Sequence, residues 1–425
     1  MSLLIKGGHL VDPAAGKDGV YDVLICDGVV AEVAEQIAAE DAEIIDAAGK
    51  YVMPGFIDLH VHLREPGLEY KETIATGSMA AAAGGFTSIC PMPNTKPSTD
   101  TPEKITALLA KAKTDAKVHI LPIGAISVGQ EGKELADIAG MAKAGAVAVS
   151  EDGKSVMNSA LYAEGMKRAA EAGIPVFAHC EDIDLVRGGV MNAGKRADEL
   201  GLPGITNAVE DIITARDIFL ARETGVQLHL CHCSTKDSVK MIALAKEEGL
   251  PVSGETGPHY FTMIDEEIPE DFGNYKMNPP LRGSADKEAL IKALQDNVLE
   301  AIATDHAPHS KEEKEQSMLK SPFGIVGSET AFALTVTELV RKGKLSMGEL
   351  VERMSTQPAR ILGIRKGSLQ PGMAADITIA DADKSYVIDP EKFYSKGKNT
   401  PFAGKEVYGV ICYTLVDGKV VYQNN

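Results

Sequence analysis

The sequence predicts an α/β protein, a (β/α)8 barrel with a small β-sandwich domain formed by both chain termini. Eight apolar runs alternate with Ala-rich amphipathic segments between residues 54 and 362, which is the pattern of a closed parallel barrel. Before and after this region, short alternating runs are separated by Asp-Gly and Gly-Gly pairs, as in hairpins. We therefore expect a composite β domain from residues 1–53 and 363–425 and a barrel at 54–362.

Composition excludes several classes of protein. The 43 basic and 61 acidic residues give a formal net charge of −18 without a basic block, which argues against nucleic-acid or anionic-membrane partners. Six scattered cysteines form no disulfide framework and fit a reducing compartment. No run reaches the roughly 20 apolar residues of a membrane span. Composition therefore predicts a soluble, acidic, cytoplasmic protein and does not yet indicate what the protein does.

The eight barrel strands follow one another with helical stretches between them, and these stretches carry apolar residues at three- and four-residue spacing. The region exceeds the typical ~250 residues of this fold, so we expect enlarged loops at 183–206 and 265–284. The strands are predicted at 55–63, 86–94, 118–127, 146–153, 175–182, 227–234, 252–261 and 299–309.

Histidines stand at the carboxyl ends of three of these strands, where barrel enzymes place their chemistry. His60 and His62 end the first strand, and the side-chain period of two puts both imidazoles on one face, a half-site for a divalent metal. The alternative is two unrelated polar residues. His179 and His232 end strands five and six, and each by itself is more typical of a hydrogen-bonded core histidine.

Cysteines flank His232 at 231 and 233. If His232 points into the barrel, strand alternation turns Cys231 and Cys233 toward the helices. A Cys-His-Cys zinc site is therefore disfavoured, and we interpret both cysteines as small buried apolar groups.

Two aspartates complete the set of strand-end groups. Asp305 ends strand eight and is expected to face inward, whereas His306 faces away and His309 lies in the loop beyond. Asp152, before Gly153, would by itself be a solvated turn residue. Together, four histidines and two aspartates suit two metal ions that share a bridge, and this donor set favours zinc.

Four segments carry a family resemblance: MPGFIDLHVHLREPG at 53–67, PMPNT at 91–95, KMNPPLR at 276–282 and TDHAPH at 304–309. The chain resembles the dihydroorotases of the longer bacterial type, in the amidohydrolase superfamily, over essentially its whole length. The resemblance implies a hydrolase that reversibly cyclises N-carbamoyl-L-aspartate to L-dihydroorotate plus water, in de novo pyrimidine (UMP) biosynthesis.

The same resemblance implies the metal ligands. His60, His62 and Asp305 would hold one zinc ion, and His179 and His232 would hold the second. Many relatives bridge the ions with a carboxylated lysine, but Asp152 stands at that position here, with Lys154 as the only nearby rival. A metal-bound bridging hydroxide would attack the carbonyl, with Asp305 as general acid and base.

The implied substrate carries a free carboxylate. Arg64 by itself resembles a surface arginine paired with Glu65, but the resemblance places Arg64, Asn94 and His309 around that carboxylate. His62 and Leu63 belong to the same implied set, and Asn278 with the backbone near Phe323 and Gly324 would hold the ring amide. We interpret KMNPPLRG as a mobile lid or as a pocket edge, with Gly273 and Gly283 as candidate hinges.

Two rival functions remain at this point. Hydantoinase, dihydropyrimidinase and allantoinase share the fold and metals, and Arg64 argues against them because hydantoin and allantoin carry no ring carboxylate. An inactive scaffold of aspartate transcarbamoylase is disfavoured because all six candidate ligands are present. Association of an active enzyme with aspartate transcarbamoylase stays open, and the family implies a homodimer.

Overall fold

The computed structural model describes residues 2–39 and 41–424. Met1, Glu40 and Asn425 of the predicted β domain therefore lie outside the described residues. No helix in the described ranges is both long and apolar enough to cross a membrane.

Strands from both ends of the chain form one mixed eight-stranded sheet. Its path runs β19-β18-β17-β5-β1-β2-β3, with β4 added alongside β1. The N- and C-terminal segments meet where β5 pairs antiparallel with β17, with Val52 opposite Ile379. The N-terminal strands are β1 (Ser2–Asp12), β2 (Lys17–Cys26), β3 (Val29–Ala34), β4 (Glu43–Asp46) and β5 (Tyr51–Pro54).

The barrel strands are short, parallel and buried on both faces, as expected for a sheet covered by helices. They and two short strands of an enlarged loop are β6 (Phe56–Val61), β7 (Phe86–Pro91), β8 (His119–Ile120), β9 (Ile123–Ala125), β10 (Ala148–Ser150), β11 (Val176–Ala178), β12 (Met191–Asn192), β13 (Gly204–Ile205), β14 (Leu228–Leu230), β15 (Val252–Thr256) and β16 (Ala301–Ile302). The C-terminal strands are β17 (Ile377–Val387), β18 (Glu406–Val416) and β19 (Lys419–Gln423).

The barrel closes between its first and last strands. Val61 forms a parallel bridge with His306, and the backbone N–H of Thr304 donates to Asp58 Oδ1 at 3.0 Å. The third strand is split into β8 and β9 around Pro122, which has no backbone N–H to donate. Its first half pairs with β7 and its second half with β10.

Helices follow the barrel strands and cover them. Many begin at a capping side chain, such as Thr73 before α1 and Asn158 before α4, because such oxygens accept from otherwise unpaired N–H groups. The helices are α1 (Ile74–Ala83), α2 (Pro102–Asp115), α3 (Ile138–Ala144), α4 (Ser159–Ala172), α5 (Lys195–Leu200), α6 (Ala208–Thr224), α7 (Lys236–Glu247), α8 (Pro258–Thr262), α9 (Ser284–Gln295), α10 (Lys311–Lys314), α11 (Ala331–Thr335), α12 (Met347–Val351) and α13 (Gln357–Ile361).

The predicted fold class is confirmed: a (β/α)8 barrel with a small sandwich-like domain from the two termini. The first enlarged loop contains β12, α5 and β13. The second contains 3-10 turns at Asp265–Glu267 and Gly273–Tyr275. Each strand is shorter than its predicted run, because the chain leaves the sheet at the carboxyl end to present side chains to the site.

Candidate active site

A cavity of about 140 Å³ opens at the carboxyl end of the barrel. Side chains from the ends of β6, β7, β10, β11, β14 and β16 meet there, so residues far apart in sequence become neighbours. Its lining consists of His62, Arg64, Asn94, Asp152, Gly153, His179, His232, Asn278, Asp305, Ala307, Phe323 and Gly324. His60 lies beneath this lining and is fully buried.

The first barrel strand, β6, supplies one half of the cluster. His62 Nε2 lies 3.0 Å from Asp305 Oδ1, and His60 Nε2 lies 3.5 Å from the same oxygen. His62 Nδ1 is 2.9 Å from Asn94 Oδ1. Because that amide oxygen can only accept, the proton of His62 sits on Nδ1, and its Nε2 lone pair faces the aspartates.

The carboxyl ends of β11 and β14, the fifth and sixth barrel strands, supply the other half of the cluster. His179 Nδ1 and His232 Nε2 are 2.9 Å apart, and Asp152 Oδ1 lies 3.5 Å from the former and 3.7 Å from the latter. His179 Nε2 is 3.1 Å from Glu181 Oε2, so Nε2 carries the proton and the Nδ1 lone pair points to Asp152. Asp152 Oδ1 also lies 3.1 Å from His60 Nε2 and thus stands between the two halves.

The donor set fits a divalent metal. Both ring nitrogens of His60 are buried without a hydrogen-bond partner among the described residues, although buried polar atoms are normally paired. His60 with His62 and Asp305, and His60 with Asp152 and His232, form two groups compact enough to share an ion. The partners of His62 and His179 are the outer-shell contacts that orient metal-binding imidazoles.

Electrostatics keeps Asp305 ionised. Burial alone would raise the pKa of this carboxyl, but the charge of the neighbouring imidazoles, His60 foremost, outweighs burial and holds the pKa below its usual range. An ionised carboxylate beside imidazoles can bind a cation or accept a proton.

Arg64 lines the cavity next to this cluster and is only 9% exposed. Its Nε donates to the Pro308 carbonyl at 3.2 Å. The alternative pairing with Glu65 is wrong, because Glu65 accepts from the Ile74 N–H and pairs with Lys111. The buried guanidinium has no carboxylate partner within 4.0 Å in the described part of the chain and can receive one from a ligand.

Lys314 holds the wall formed by Phe323 and Gly324. Its fully buried ammonium donates to the carbonyls of Lys276, Pro322 and Gly324 at 2.8–3.1 Å. Burial and then the neighbouring Lys276 lower the pKa of Lys314 to about 7. The three bonds fix the backbone on which the predicted ring-amide contacts depend.

Asn94, Leu63 and His306 all contact neighbouring parts of the protein. The amide of Asn94 is already engaged, because Nδ2 donates to Asp152 Oδ2 at 3.1 Å while Oδ1 faces His62. Leu63 is buried and its side chain packs against Gly77 of α1, so only its backbone can face the cavity. His306 faces Glu72, away from Asp305, as strand alternation predicts.

The expected orientation of Cys231 is wrong. Its sulfur lies with His60 and Glu255 inside the barrel, whereas Cys233 lies beside Gly254, on the side of Ile242 in α7. Strand β14 ends at Leu230, and His232 has a φ of 34°. Alternation therefore does not continue through this turn.

Two carboxylates of the site were not singled out from the sequence. Glu181 accepts from Asn278 Nδ2 at 3.0 Å besides its contact with His179. Glu255 contacts His229 at 3.1 Å and lies 3.4 Å from His60 Nδ1. Their signal was available, since Glu181 follows His179 by two residues and Glu255 lies within the seventh predicted strand, 252–261.

The segment interpreted as a lid is anchored at several points. Tyr260 donates to the Pro279 carbonyl at 2.7 Å, and buried Arg282 donates to Asn192 and to the Ile205 carbonyl at 3.0 Å. Motion of this segment stays a prediction.

Family models match two parts of the chain. A "Dihydro-orotase-like" model matches residues 49–238, and an "Amidohydrolase family" model matches residues 319–422. Proteins named dihydroorotase are similar over the whole chain. That of Acetivibrio thermocellus is 48% identical over 99% of this chain and 98% of its own, and that of Staphylococcus epidermidis is 46% identical over 99% of each.

Solved structures show the same architecture. The L-hydantoinase (dihydropyrimidinase) of Arthrobacter aurescens superposes with a TM-score of 0.88 at 29% identity, over 99% of this chain and 96% of its own. The dihydropyrimidinase of Brevibacillus agri gives a TM-score of 0.86 at 28% identity, over 100% of this chain and 95% of its own.

Proposed function

The chain belongs to the dihydroorotase family, and from this membership we propose how its buried histidine and aspartate cluster carries out the reaction. The protein is a cyclic amide hydrolase that interconverts N-carbamoyl-L-aspartate and L-dihydroorotate. One observation carries the assignment of the site: five of the six sequence-predicted ligands line one cavity beside a buried arginine, and the sixth, His60, lies directly beneath them.

We propose that the cluster holds two zinc ions bridged by Asp152. Imidazole and carboxylate donors favour zinc among divalent metals, and Asp152 contacts ligands from both halves. His60, His62 and Asp305 would hold one ion, and His179 and His232 the other. A metal bound here lowers the pKa of water and polarises a carbonyl oxygen.

The side chains supply the rest of the chemistry. In ring opening, ionised Asp305 accepts a proton from the attacking water and delivers it to the departing ring nitrogen. In ring closure it takes the proton from the carbamoyl nitrogen. Asn94 and Glu181 hold His62 and His179 in the tautomers that leave their lone pairs directed at the cluster.

Groups at the rim of the cavity bind the substrate in this proposal. We propose that Arg64, with its planar fork of donors, takes the free carboxylate, with His309 beside it. Asn278 and the backbone at Phe323 and Gly324 would take the ring amide, and Asn94 and the backbone of Leu63 would complete the pocket.

The test is metal content together with turnover on the purified protein. We expect about two zinc ions per chain and rapid cyclisation of carbamoyl aspartate. Chelation should abolish turnover and added zinc should restore it. If the Asp152→Asn variant bound as many zinc ions as the wild type, Asp152 would not be the bridging ligand.

The hydantoinase-like architecture of the structural neighbours makes hydantoin and dihydrouracil the necessary comparison substrates. Arg64 favours a substrate with a free carboxylate. Turnover of hydantoin with none of carbamoyl aspartate would reject the assignment of this site to dihydroorotate.

We also propose domain limits and an assembly. The limits are 1–53 with 363–425 for the β domain and 54–362 for the barrel, supported by the pairing of β5 with β17. A cytoplasmic homodimer, with association with aspartate transcarbamoylase as an open possibility, rests on family resemblance. Size-exclusion chromatography with light scattering tests the dimer, and co-purification tests the association.

A further inference from the structure

Behind Arg64, His309 lies among cations. Lys71 Nζ is 3.0 Å from His309 Nδ1, and the His309 ring is 5% exposed. Lys71, in the loop after β6, is itself buried and also contacts Glu313 at 2.9 Å. On the other side of the ring, Nε2 lies 2.8 Å from the Phe323 carbonyl and 3.2 Å from an Arg64 nitrogen.

We infer that Lys71 is a positioning residue that fixes His309 in the neutral tautomer with its proton on Nε2, so that the ring donates this N–H to the Phe323 carbonyl and holds the cavity wall beside Arg64 in place for the substrate. The inference rests on the proposed function, because Arg64 and the backbone at Phe323 are proposed substrate contacts.

The donors and acceptors around the ring determine this tautomer. An ammonium has three donors and no acceptor, so Nδ1 next to Lys71 must offer its lone pair. The Phe323 carbonyl can only accept, so Nε2 opposite must carry the proton. The other tautomer would satisfy Arg64 alone and would set a donor against Lys71 and a lone pair against the Phe323 oxygen.

The neighbouring charges keep the ring neutral. Burial, followed by the positive charges of Arg64, Lys71 and Lys314, holds the pKa of His309 well below its usual range. Glu313 is the counter-charge on this side, 3.7 Å from Nδ1, and it is engaged by Lys71 and by the Tyr70 hydroxyl. The backbone is held as well, since the His309 N–H donates to Asn399 Oδ1 at 3.1 Å.

The consequence concerns substrate binding. A neutral histidine with its proton on Nδ1 would set its Nε2 lone pair against the Phe323 carbonyl, and the cavity wall at Phe323 would move. With the proton on Nε2, the ring holds that carbonyl at 2.8 Å, next to the guanidinium of Arg64. Lys71 therefore acts on substrate through His309, without contacting the substrate itself.

The first test needs no substrate. Nitrogen-15 NMR of the zinc-loaded protein with labelled histidine, with His309 assigned by comparison with His309→Gln, should show a protonated Nε2 and an unprotonated Nδ1. In Lys71→Met the population with Nδ1 protonated should rise, and Lys71→Arg should restore the wild-type spectrum. A wild-type His309 protonated on Nδ1 would overturn the inference even if no variant folded.

Kinetics gives the second readout. Lys71→Met should raise KM for carbamoyl aspartate about tenfold, the cost of roughly one hydrogen bond, and leave kcat within about threefold. Lys71→Arg should recover most of the loss, and the matched control Lys111→Met, whose lysine is exposed, should behave as wild type. An unchanged KM, or a loss confined to kcat, contradicts the positioning role.

The two readouts separate this inference from the proposed function. Wild-type turnover of carbamoyl aspartate with the opposite tautomer overturns the role of Lys71 and leaves the function standing. The expected tautomer in a protein that does not turn over carbamoyl aspartate overturns the function and leaves the Lys71–His309 interaction standing.

Discussion

The imidazole rings at the site are oriented by hydrogen-bond partners on the side of each ring that faces away from the cluster. His62 shows this: its Nδ1–H donates to Asn94 Oδ1, and the Nε2 lone pair faces Asp305. His179 repeats the arrangement with Glu181. Because each ring is fixed on its far side, the cluster is preorganised, which is how protein sites hold metals in one geometry.

Asp305→Asn should abolish turnover. The amide cannot accept the proton that ring opening releases, and it is nearly isosteric with the acid, so fold and most of the bound metal should persist. Turnover, circular dichroism and metal analysis on one preparation test this. Activity of the variant near that of the wild type would show that Asp305 is not the general acid and base.

Arg64→Met should raise KM for carbamoyl aspartate by about 10- to 100-fold, because a charge-assisted hydrogen-bonded pair contributes about 1.5–3 kcal/mol. Loss of the buried charge should act much less on any residual turnover of dihydrouracil, which has no carboxylate. Lys111→Met serves as a surface control. An unchanged kcat/KM would place the carboxylate elsewhere.

At the scale of elements, short barrel strands end in turns that aim side chains at the cavity. Arg64, His232 and Asp305 have φ angles of 61°, 34° and 47°, in the left-handed region that residues with a Cβ seldom adopt. Such backbone clusters at functional sites, where the surroundings hold it in place. Here, bonds to the loop beyond β16 hold it, as when Arg64 donates to the Pro308 carbonyl.

Helix α10 contributes the buried Lys314, and its pKa of about 7 has a consequence for stability. In the unfolded chain this lysine keeps its proton up to about pH 10.5. Between pH 7 and 10 the unfolded state therefore binds more protons, and this lysine makes the protein more stable as the pH rises.

Lys314→Met lacks that contribution. The free energy of unfolding lost in the variant should therefore be larger at pH 9 than at pH 7, by about 2 kcal/mol. Urea denaturation of both proteins at the two pH values measures the difference. The exposed control Lys111→Met should show none, and an equal loss at both values would place the lysine pKa above 9.

At the scale of the whole molecule, the net charge of −18 opposes binding of a dianionic substrate. Basic side chains near the cavity offset this repulsion locally. Arg64, Lys71, Lys276 and Lys314 gather on one side of the cavity within a buried region. A bound metal would add further positive charge. Capture of the anion therefore depends on the field inside the cavity and not on the overall charge.

Metal removal should weaken the whole fold. A ligand at 100 times its Kd stabilises the native state by about 2.7 kcal/mol, so zinc should raise Tm of the chelated protein by roughly 5 °C. Thermal unfolding against zinc concentration measures this. In His60→Asn, most of the zinc-dependent increase in Tm should be lost. A wild-type Tm that does not change with zinc concentration would contradict a metal site at the cluster.

Strand periodicity and the position of a group at a strand end are local properties of the chain. They suffice to predict the barrel, the composite terminal domain and the six candidate groups of the cluster. The contacts around those groups depend instead on the folded chain. Cys231 turned inward because β14 ends at Leu230, and Asn94 engaged His62 and Asp152 across two strands. Lys71 and Asn399 reach His309 from two separate segments, because such contacts depend on how loops pack, and one sequence carries no periodic signal for loop packing.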